Sequence, residues 1–261
     1  MNRLLTVLVL GCLTSFVAPA AELQSWDFTV DKVARTALVY APASAKTTNA
    51  PVVFVFHGHG GSAKQASISF AMHEQWPQAI VIYMQGLDTP GQLTDPKGVR
   101  PGWQPLEGDE GDRDLKFFDV VLARVNKEYK VDGKRIYSTG HSNGGSFTYL
   151  LWLTRPDVFA AMAPSAAAAT YARRLKPKPA FICGGEEDPL VKPEWQRLTI
   201  GLVRRVDSCP QTGQSWENEI GCTLYPSEKG TPVVVFTYPG GHELNPKSPA
   251  LIAKFFQEHS K

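Results

Sequence analysis

The chain has 261 residues, and its 27 Lys and Arg against 25 Asp and Glu give a formal net charge of +2. This balance excludes the strong basic excess that nucleic-acid-binding proteins show, so no nucleic-acid partner is expected. Hydrophobic residues make up 43% and charged residues 20%, which excludes a largely disordered chain.

The first twenty residues predict a secretory signal peptide. Arg3 gives a positive start, residues 4–17 are mostly apolar, and Ala18-Pro19-Ala20 is a small-residue cleavage site. An alternative interpretation takes Gly11-Cys12 as a lipoprotein acylation site, although apolar residues 13–17 would then stay in the mature protein.

Residues 21–261 are predicted to form a single exported domain, extracellular or periplasmic. No later apolar run is long enough for a transmembrane helix, so no membrane contact is expected after cleavage. We also expect a monomer.

Export permits disulfides. Cys12 leaves with the signal peptide, and the remaining Cys183, Cys209 and Cys222 allow at most one intramolecular bridge. Cys209 and Cys222 flank a polar stretch, where a bridge would contribute about 3 kcal/mol. Cys183 lies in an apolar run and is interpreted as a buried free thiol. We therefore predict a Cys209–Cys222 disulfide.

Strand-like and helix-like segments alternate along the chain. Runs at residues 25–30 and 36–40 are close enough to pair antiparallel. Later runs, nearly continuous in Val, Ile, Phe and Ala, are typical of strands covered on both faces, and they span residues 51–58, 79–86, 135–140, 159–166, 179–185 and 233–241. Helical periodicity is found at residues 114–129, 143–154, 194–206 and 248–258.

This alternation predicts an α/β fold with a mainly parallel sheet and helices on both faces. Asp112 or Asp114 could cap the helix at 114–129. Two long polar segments, residues 86–113 and 207–231, are predicted to be surface loops near the functional end of the molecule. Too few residues separate the runs at 159–166 and 179–185 for a large cap domain, which predicts an open site.

The strongest motif is Gly140-His141-Ser142-Asn143-Gly144, a G-x-S-x-G sequence. A predicted strand runs into it and a predicted helix follows it. This is the pattern of the nucleophile elbow of α/β-hydrolases, in which a tight turn exposes the serine Oγ. We predict Ser142 as the nucleophile. The alternative is an ordinary turn serine at a helix start.

A serine hydroxyl needs a neighbouring base, and in this fold the order along the chain is serine, acid, histidine. His242 follows the last predicted strand, at the sheet edge where catalytic groups gather. His259 lies at the end of the last helix, near the C-terminus. His242 is therefore the predicted general base.

The acid should follow a strand between these two positions. Asp188 directly follows the run at 179–185, whereas Asp157 and Asp207 lie at helix ends. We predict that Asp188 orients the imidazole. Its neighbours Glu186 and Glu187 are interpreted as solvated loop charges.

Acyl transfer also requires hydrogen-bond donors for the oxyanion. The backbone N–H of Asn143 is one candidate, and the segment His57-Gly58-His59-Gly60-Gly61 should supply the other. The His59 N–H is predicted, with Gly60 as the alternative. The two histidines could suggest a metal site, but the glycines favour close backbone approach to a substrate. We expect no metal and no cofactor.

Trp103 lies in the long polar segment that should wall the site, within Pro101-Gly102-Trp103-Gln104-Pro105. It could anchor its own loop, or it could bind substrate by stacking on an aromatic acyl group or a sugar ring.

Several of these motifs together resemble one group of enzymes. HGHGG at 57–61, residues 112–145, RPDVFAAMAPSAA at 155–167, EEDPLV at 186–191 and GGH at 240–242 are similar to secreted polyhydroxybutyrate depolymerases and feruloyl esterases. These are α/β-hydrolases grouped with carbohydrate esterase family one. The resemblance covers roughly residues 35–256.

The resemblance implies that Ser142, Asp188 and His242 form a catalytic triad. It also implies a secreted serine esterase acting through an acyl-enzyme. Its substrates would be feruloyl or acetyl esters of plant polysaccharide, or hydroxybutyrate polyesters. The alternatives are a serine peptidase of the same fold and a catalytically inactive carbohydrate-binding relative.

Overall fold

The computed structural model describes residues 22–261. The predicted signal peptide and its Gly11-Cys12 alternative lie outside the described residues. Within residues 22–261, no helix combines the length and apolar character needed to cross a membrane.

The described chain begins with an antiparallel hairpin of β1 (Gln24–Val30) and β2 (Val33–Tyr40). The turn residues Asp31 and Lys32 both have positive φ, as the tightest two-residue hairpin turns require. The predicted antiparallel pairing is confirmed.

The remaining elements follow in the predicted alternating order. They are β3 (Ala50–Phe56), α1 (Ala63–Ser69), α2 (Met72–Gln75), β4 (Ile80–Met84), β5 (Leu87–Asp88), β6 (Pro101–Gly102), α3 (Arg113–Glu128), β7 (Val131–His141), α4 (Asn143–Thr154), β8 (Ala161–Ser165), β9 (Ala180–Gly185), α5 (Pro193–Val206), β10 (Gln214–Ser215), β11 (Cys222–Tyr225), β12 (Val233–Tyr238) and α6 (Ser248–Gln257).

The main sheet has ten strands in the order β1-β2-β4-β3-β7-β8-β9-β12-β11-β10. Its centre, from β4 through β12, is parallel, and strands at both edges are antiparallel. Every residue of β3 and β4 is buried, because helices cover both faces of the sheet. The predicted mainly parallel sheet is confirmed.

Alternate residues of β3 point into two separate hydrophobic cores. Phe54 and Phe56 join the core beneath α3, α4 and α5, and Val53 and Val55 join the core beneath α1, α2 and α6. Because the parallel strands are held from both sides, their carboxyl ends form a fixed edge on which loops can place functional groups.

Two regions differ from the sequence-based expectation. The segment 63–75 contains the short helices α1 and α2, which have too few turns to show a clear hydrophobic periodicity in the sequence. Ser62 Oγ caps α1 by accepting the Gln65 N–H at 3.1 Å. In the predicted loop 207–231, β11 pairs antiparallel with β12. The strand β11 forms because it pairs with β12, and the residue pattern of the segment 207–231 alone does not indicate that pairing.

The predicted Cys209–Cys222 disulfide is wrong for this structure, in which both residues are free thiols. Cys222 begins β11 and is buried in the core beneath α6, whereas Cys209 packs against the core on the opposite face of the sheet. The Cys209 Sγ lies 3.5 Å from the carbonyl oxygen of Tyr225, at the far end of β11. Cys183 is buried and free, as expected.

Candidate active site

Ser142 occupies a strained turn between β7 and α4, with φ 57° and ψ −120°. Gly140 and Gly144 make this turn possible: a Cβ on Gly140 would strike the Gly144 carbonyl, and one on Gly144 would strike the carbonyl of Phe56 in β3. The Ser142 N–H donates to the Ser165 carbonyl of β8 at 2.9 Å, which fixes the turn to the sheet. This is the geometry of a nucleophile elbow.

The structure brings the three predicted triad residues together. His242 Nε2 lies 2.7 Å from Ser142 Oγ, and His242 Nδ1 lies 2.8 Å from Asp188 Oδ2. His242 follows β12 and Asp188 follows β9, so adjacent strands place them at the same edge of the sheet. The excluded His259 instead bonds to the Phe255 carbonyl within α6.

The Asp188 carboxylate is buried, and both of its oxygens accept hydrogen bonds. Its Oδ1 accepts the N–H groups of Leu190 and Val191 at 2.9 Å each, and its Oδ2 accepts Gln196 Nε2 at 3.1 Å in addition to His242. These bonds compensate for the desolvation of a buried charge and orient the carboxylate toward the imidazole. Gln196 lies within α5, and no sequence motif indicated its contact.

The two predicted oxyanion donors are free to bind a substrate. Within residues 22–261 the backbone N–H groups of His59 and Asn143 make no hydrogen bond. The alternative donor, the Gly60 N–H, is already bonded to the Pro101 carbonyl at 2.7 Å. The loop lies directly beside the nucleophile, since a Cβ on Gly58 would be 3.5 Å from Ser142 Cβ.

The His57 ring holds the loop to the end of β4. Its Nδ1 lies 2.7 Å from the Gly58 carbonyl, and its Nε2 accepts the Gly86 N–H at 3.0 Å. Burial lowers the His57 pKa to about 4, so the ring is neutral. Across the described part of the chain, no group of three or more His, Cys, Asp or Glu residues is arranged to hold a metal ion.

The His59 ring connects the same loop to the segment 86–105. Its Nε2 lies 3.0 Å from Asp95 Oδ2, and that hydrogen bond lowers the Asp95 pKa. The ring fits between two glycines: a Cβ on Gly91 would lie 2.8 Å from it, and one on Gly102 would lie 2.6 Å from it. The segment 86–105 therefore contacts the loop whose His59 N–H is a predicted oxyanion donor.

Trp103 anchors its loop, and the stacking interpretation is wrong. The side chain is 0% exposed, and its Nε1 donates to the His57 carbonyl at 2.9 Å. Its ring packs against Phe56 and Phe147, with centroids 5.1 Å and 5.3 Å away. An indole enclosed on this scale has no face available to a substrate.

Gln104 caps α3, in place of the acidic residues expected to do so. Its Oε1 accepts the N–H groups of Asp114 and Leu115 at 3.1 and 3.3 Å. Asp114 instead forms a buried ion pair with Arg35 at 2.7 Å, and Asp112 Oδ1 accepts the Gly108 N–H. Trp103 and Gln104 thus attach the loop to the His57 segment and to the start of α3.

His141 is a further residue of the site, and sequence reasoning assigned it no role. Its ring centroid lies 5.1 Å from that of His242, and its Nδ1 lies 3.3 Å from Ser165 Oγ. Burial lowers its pKa to about 4, so the ring is neutral near pH 7. It lies beside the imidazole of the predicted base His242 without adding a charge there.

A cavity of about 390 Å³ opens above Ser142. Its walls come from the turn around Ser142, the oxyanion loop, residues 90–105, the loop after Asp188 and the loop that carries His242. The lining residues are Gly58, His59, Pro90, Gly91, Gln92, Leu93, Thr94, Arg100, Pro105, His141, Ser142, Asn143, Ser146, Leu190, Val191 and His242. No large cap domain covers it in the described chain, as predicted.

Comparison with known proteins finds one matching family model and several similar esterases. The model of the prolyl oligopeptidase family matches residues 103–175. A bifunctional acetylxylan esterase/xylanase of Neocallimastix patriciarum is 23% identical over 204 residues, which are 77% of this chain and 27% of that protein. An Aspergillus oryzae protein named "Probable feruloyl esterase C" is 23% identical over 223 residues, 78% of this chain and 77% of that protein.

The solved acetyl xylan esterase from Aspergillus awamori superimposes with a TM-score of 0.64 at 16% identity, covering 90% of this chain and 99% of that one. The chain spans less than half the length of two of its curated relatives, 27% and 43%. The sheet, the elbow and this superposition agree on the architecture. The chain therefore has the α/β-hydrolase fold and is similar in sequence to acetylxylan and feruloyl esterases.

Proposed function

We propose that the protein is a serine carboxylic-ester hydrolase that acts through an acyl-enzyme. The observation that supports this best is the continuous hydrogen-bonded chain from Ser142 Oγ through His242 to buried Asp188. Distances of 2.7 and 2.8 Å are within the range needed for proton transfer and for orienting the imidazole.

Each residue of the site has its own role in the proposed reaction. Ser142 Oγ attacks the ester carbonyl carbon while His242 Nε2 accepts its proton. The backbone N–H groups of His59 and Asn143 hold the oxyanion, and Asp188 stabilises the imidazolium. The intermediate collapses, and the alcohol leaves with the proton from His242. Water then attacks the acyl-enzyme with His242 as base, which releases the acid and restores the serine.

For the substrate, we propose acetyl or feruloyl esters of plant polysaccharide. The names of the sequence relatives support this class, and the open cavity would admit an ester attached to a polymer. Polyesters of hydroxybutyrate form a second group, supported by the motif resemblance alone. The protein would be exported and act as a monomer.

The test is hydrolysis of p-nitrophenyl acetate by wild type and by three variants. Ser142→Ala and His242→Ala should each lower kcat by several orders of magnitude with unchanged melting temperature. His259→Ala is the matched control and should stay near wild type. A Ser142→Ala variant with a tenth of wild-type activity would refute the nucleophile assignment, and no turnover by wild type would favour an inactive binding relative.

A peptidase is the second candidate, because the prolyl oligopeptidase family model matches residues 103–175. That match covers the elbow and its surroundings, which the two activities share. Rates on feruloylated and acetylated xylan, hydroxybutyrate oligomers and peptide p-nitroanilides distinguish the candidates. Faster turnover of the peptide substrates would replace the esterase proposal.

A further inference from the structure

We propose that Arg100 binds an anionic group of the substrate, so that the preferred esters carry a carboxylate near the scissile bond. This proposal rests on the proposed ester hydrolysis. Arg100 lines the cavity above Ser142 together with His59, whose backbone N–H is a predicted oxyanion donor. A uronic-acid ring beside the esterified sugar, or a second carboxylate on the acyl group, would present such a charge.

The position of the Arg100 side chain is defined by the oxyanion loop. A Cβ on Gly60 would lie 3.4 Å from Arg100 Cδ, so the aliphatic stem crosses directly over Gly60. The stem packs against the loop, and the Arg100 side chain lines the cavity and remains exposed.

The backbone of Arg100 is fixed at both of its polar groups. Its N–H donates to Asp95 Oδ2 at 3.0 Å, and its carbonyl accepts the Thr89 N–H at 3.0 Å. Asp95 Oδ2 also bonds to His59 at 3.0 Å. One carboxylate thus connects the base of Arg100 to the oxyanion loop, and binding at the guanidinium requires little ordering of the main chain.

The guanidinium has no protein anion to neutralise it. Among residues 22–261, no Asp or Glu lies within ion-pair distance of Arg100, and its side chain makes no hydrogen bond. No acidic residue lines the cavity either. An unpaired arginine beside an ester-binding cavity offers a planar, permanently charged donor that suits a carboxylate.

The experiment compares esters that differ in charge but little in size. For the acyl side, mono-p-nitrophenyl glutarate is paired with p-nitrophenyl valerate. For the alcohol side, acetylated oligogalacturonate is paired with acetylated xylo-oligosaccharide. Each pair gives a ratio of kcat/KM for the anionic over the neutral ester, and the pair with the larger ratio identifies the side of the bond that Arg100 faces.

In wild type, at least one ratio should exceed one and should fall as salt is added, because ions screen the charge. Arg100→Gln should lower that ratio by about tenfold, mainly through KM, and Arg100→Lys should retain part of it. Arg205→Gln is the matched control. Arg205 is exposed near the end of α5, far from the cavity, and its loss should leave the ratio unchanged.

The proposal fails if both wild-type ratios are below one, if Arg100→Gln leaves them unchanged, or if Arg205→Gln lowers them equally. The last result would mean that overall charge, rather than this site, attracts the anion. Ser142-dependent hydrolysis of the neutral esters in those cases would leave the proposed function intact. No hydrolysis of any ester would instead reject the esterase itself.

Discussion

The side-chain amide of Asn143 forms two hydrogen bonds with the backbone of Trp103. Its Oδ1 accepts the Trp103 N–H at 2.7 Å, and its Nδ2 donates to the Trp103 carbonyl at 3.0 Å. Asn143 directly follows the nucleophile, so this pair fixes the loop of residues 101–105 to the elbow. Asn143 therefore serves through its side chain as well as through its predicted backbone N–H.

Asn143→Ala should slow hydrolysis of all esters about tenfold, because the loop loses its attachment while the backbone N–H stays. Melting temperature should fall modestly. Asn126→Ala is the control, since within residues 22–261 the Asn126 side chain bonds only to the Leu122 carbonyl, on an exposed face of α3. If kcat/KM for p-nitrophenyl acetate is unchanged in Asn143→Ala, the attachment has no role in catalysis.

Trp103→Phe should lower stability by about 1–3 kcal/mol, because the buried His57 carbonyl loses its donor while most of the packing remains. Trp103→Ala should cost about 3–5 kcal/mol. Both variants should slow small and feruloylated esters by the same factor. Denaturant unfolding and kcat/KM on the two substrates provide the measurement. A loss confined to the feruloylated ester would restore the stacking interpretation.

The meeting of the three predicted triad residues could be predicted from the sequence, because each of them follows a strand of a parallel sheet. Ser142, Asp188 and His242 follow β7, β9 and β12, whose carboxyl ends meet at one edge. The order along the chain then left few candidates. Local pattern and topology were sufficient for these three residues.

The supporting contacts could not be predicted, because they connect residues that no motif relates. Gln196 reaches Asp188 from within α5, and Gln104 caps a helix that begins nine positions later in the chain. The Cys209–Cys222 bridge failed for the same reason. Spacing alone does not show that β11 separates the two thiols onto opposite faces of the sheet.

The three cysteines within residues 22–261 should react as free thiols. Intact mass after alkylation of the unfolded, non-reduced protein should show three modified residues, Cys183, Cys209 and Cys222. The native protein should react slowly, because burial raises the pKa of each thiol and keeps it protonated. A mass two protons lower and a single alkylated cysteine would show that a bridge forms after all.

The value of kcat/KM should fall with decreasing pH, because a histidine base accepts the serine proton only as a neutral imidazole. The slope should correspond to one proton. His141, whose pKa is lowered to about 4 by burial, should not contribute to this fall between pH 7 and 5. A slope of two protons in that range would show that His141 also gains a proton there, and a flat profile would contradict a histidine base.

Asp207 should make the protein less stable as the pH rises from about 4 to about 7. The residue is fully buried, its Oδ1 accepts the Lys178 N–H at 2.7 Å, and its Oδ2 has no partner within the described chain. Burial raises the Asp207 pKa to about 7. The folded state therefore binds a proton that the unfolded state has already released, and stability declines across this interval.

Asp207→Asn removes this titration while keeping an oxygen that can accept the Lys178 N–H. The variant and the wild type should have similar melting temperatures near pH 4, where the Asp207 carboxyl is protonated in the folded state and only begins to ionise in the unfolded state. At pH 8 the variant should be more stable, by no more than about 4 kcal/mol. Burial lowers the Lys178 pKa to about 8 and the Asp207 charge raises it, so the difference at pH 8 also contains the loss of this interaction in the variant. Asp157→Asn, at an exposed carboxylate 3.2 Å from Lys176, should show no such pH-dependent gain. Equal differences at pH 4 and pH 8 would mean that folding does not raise the Asp207 pKa, and that another donor satisfies its carboxylate.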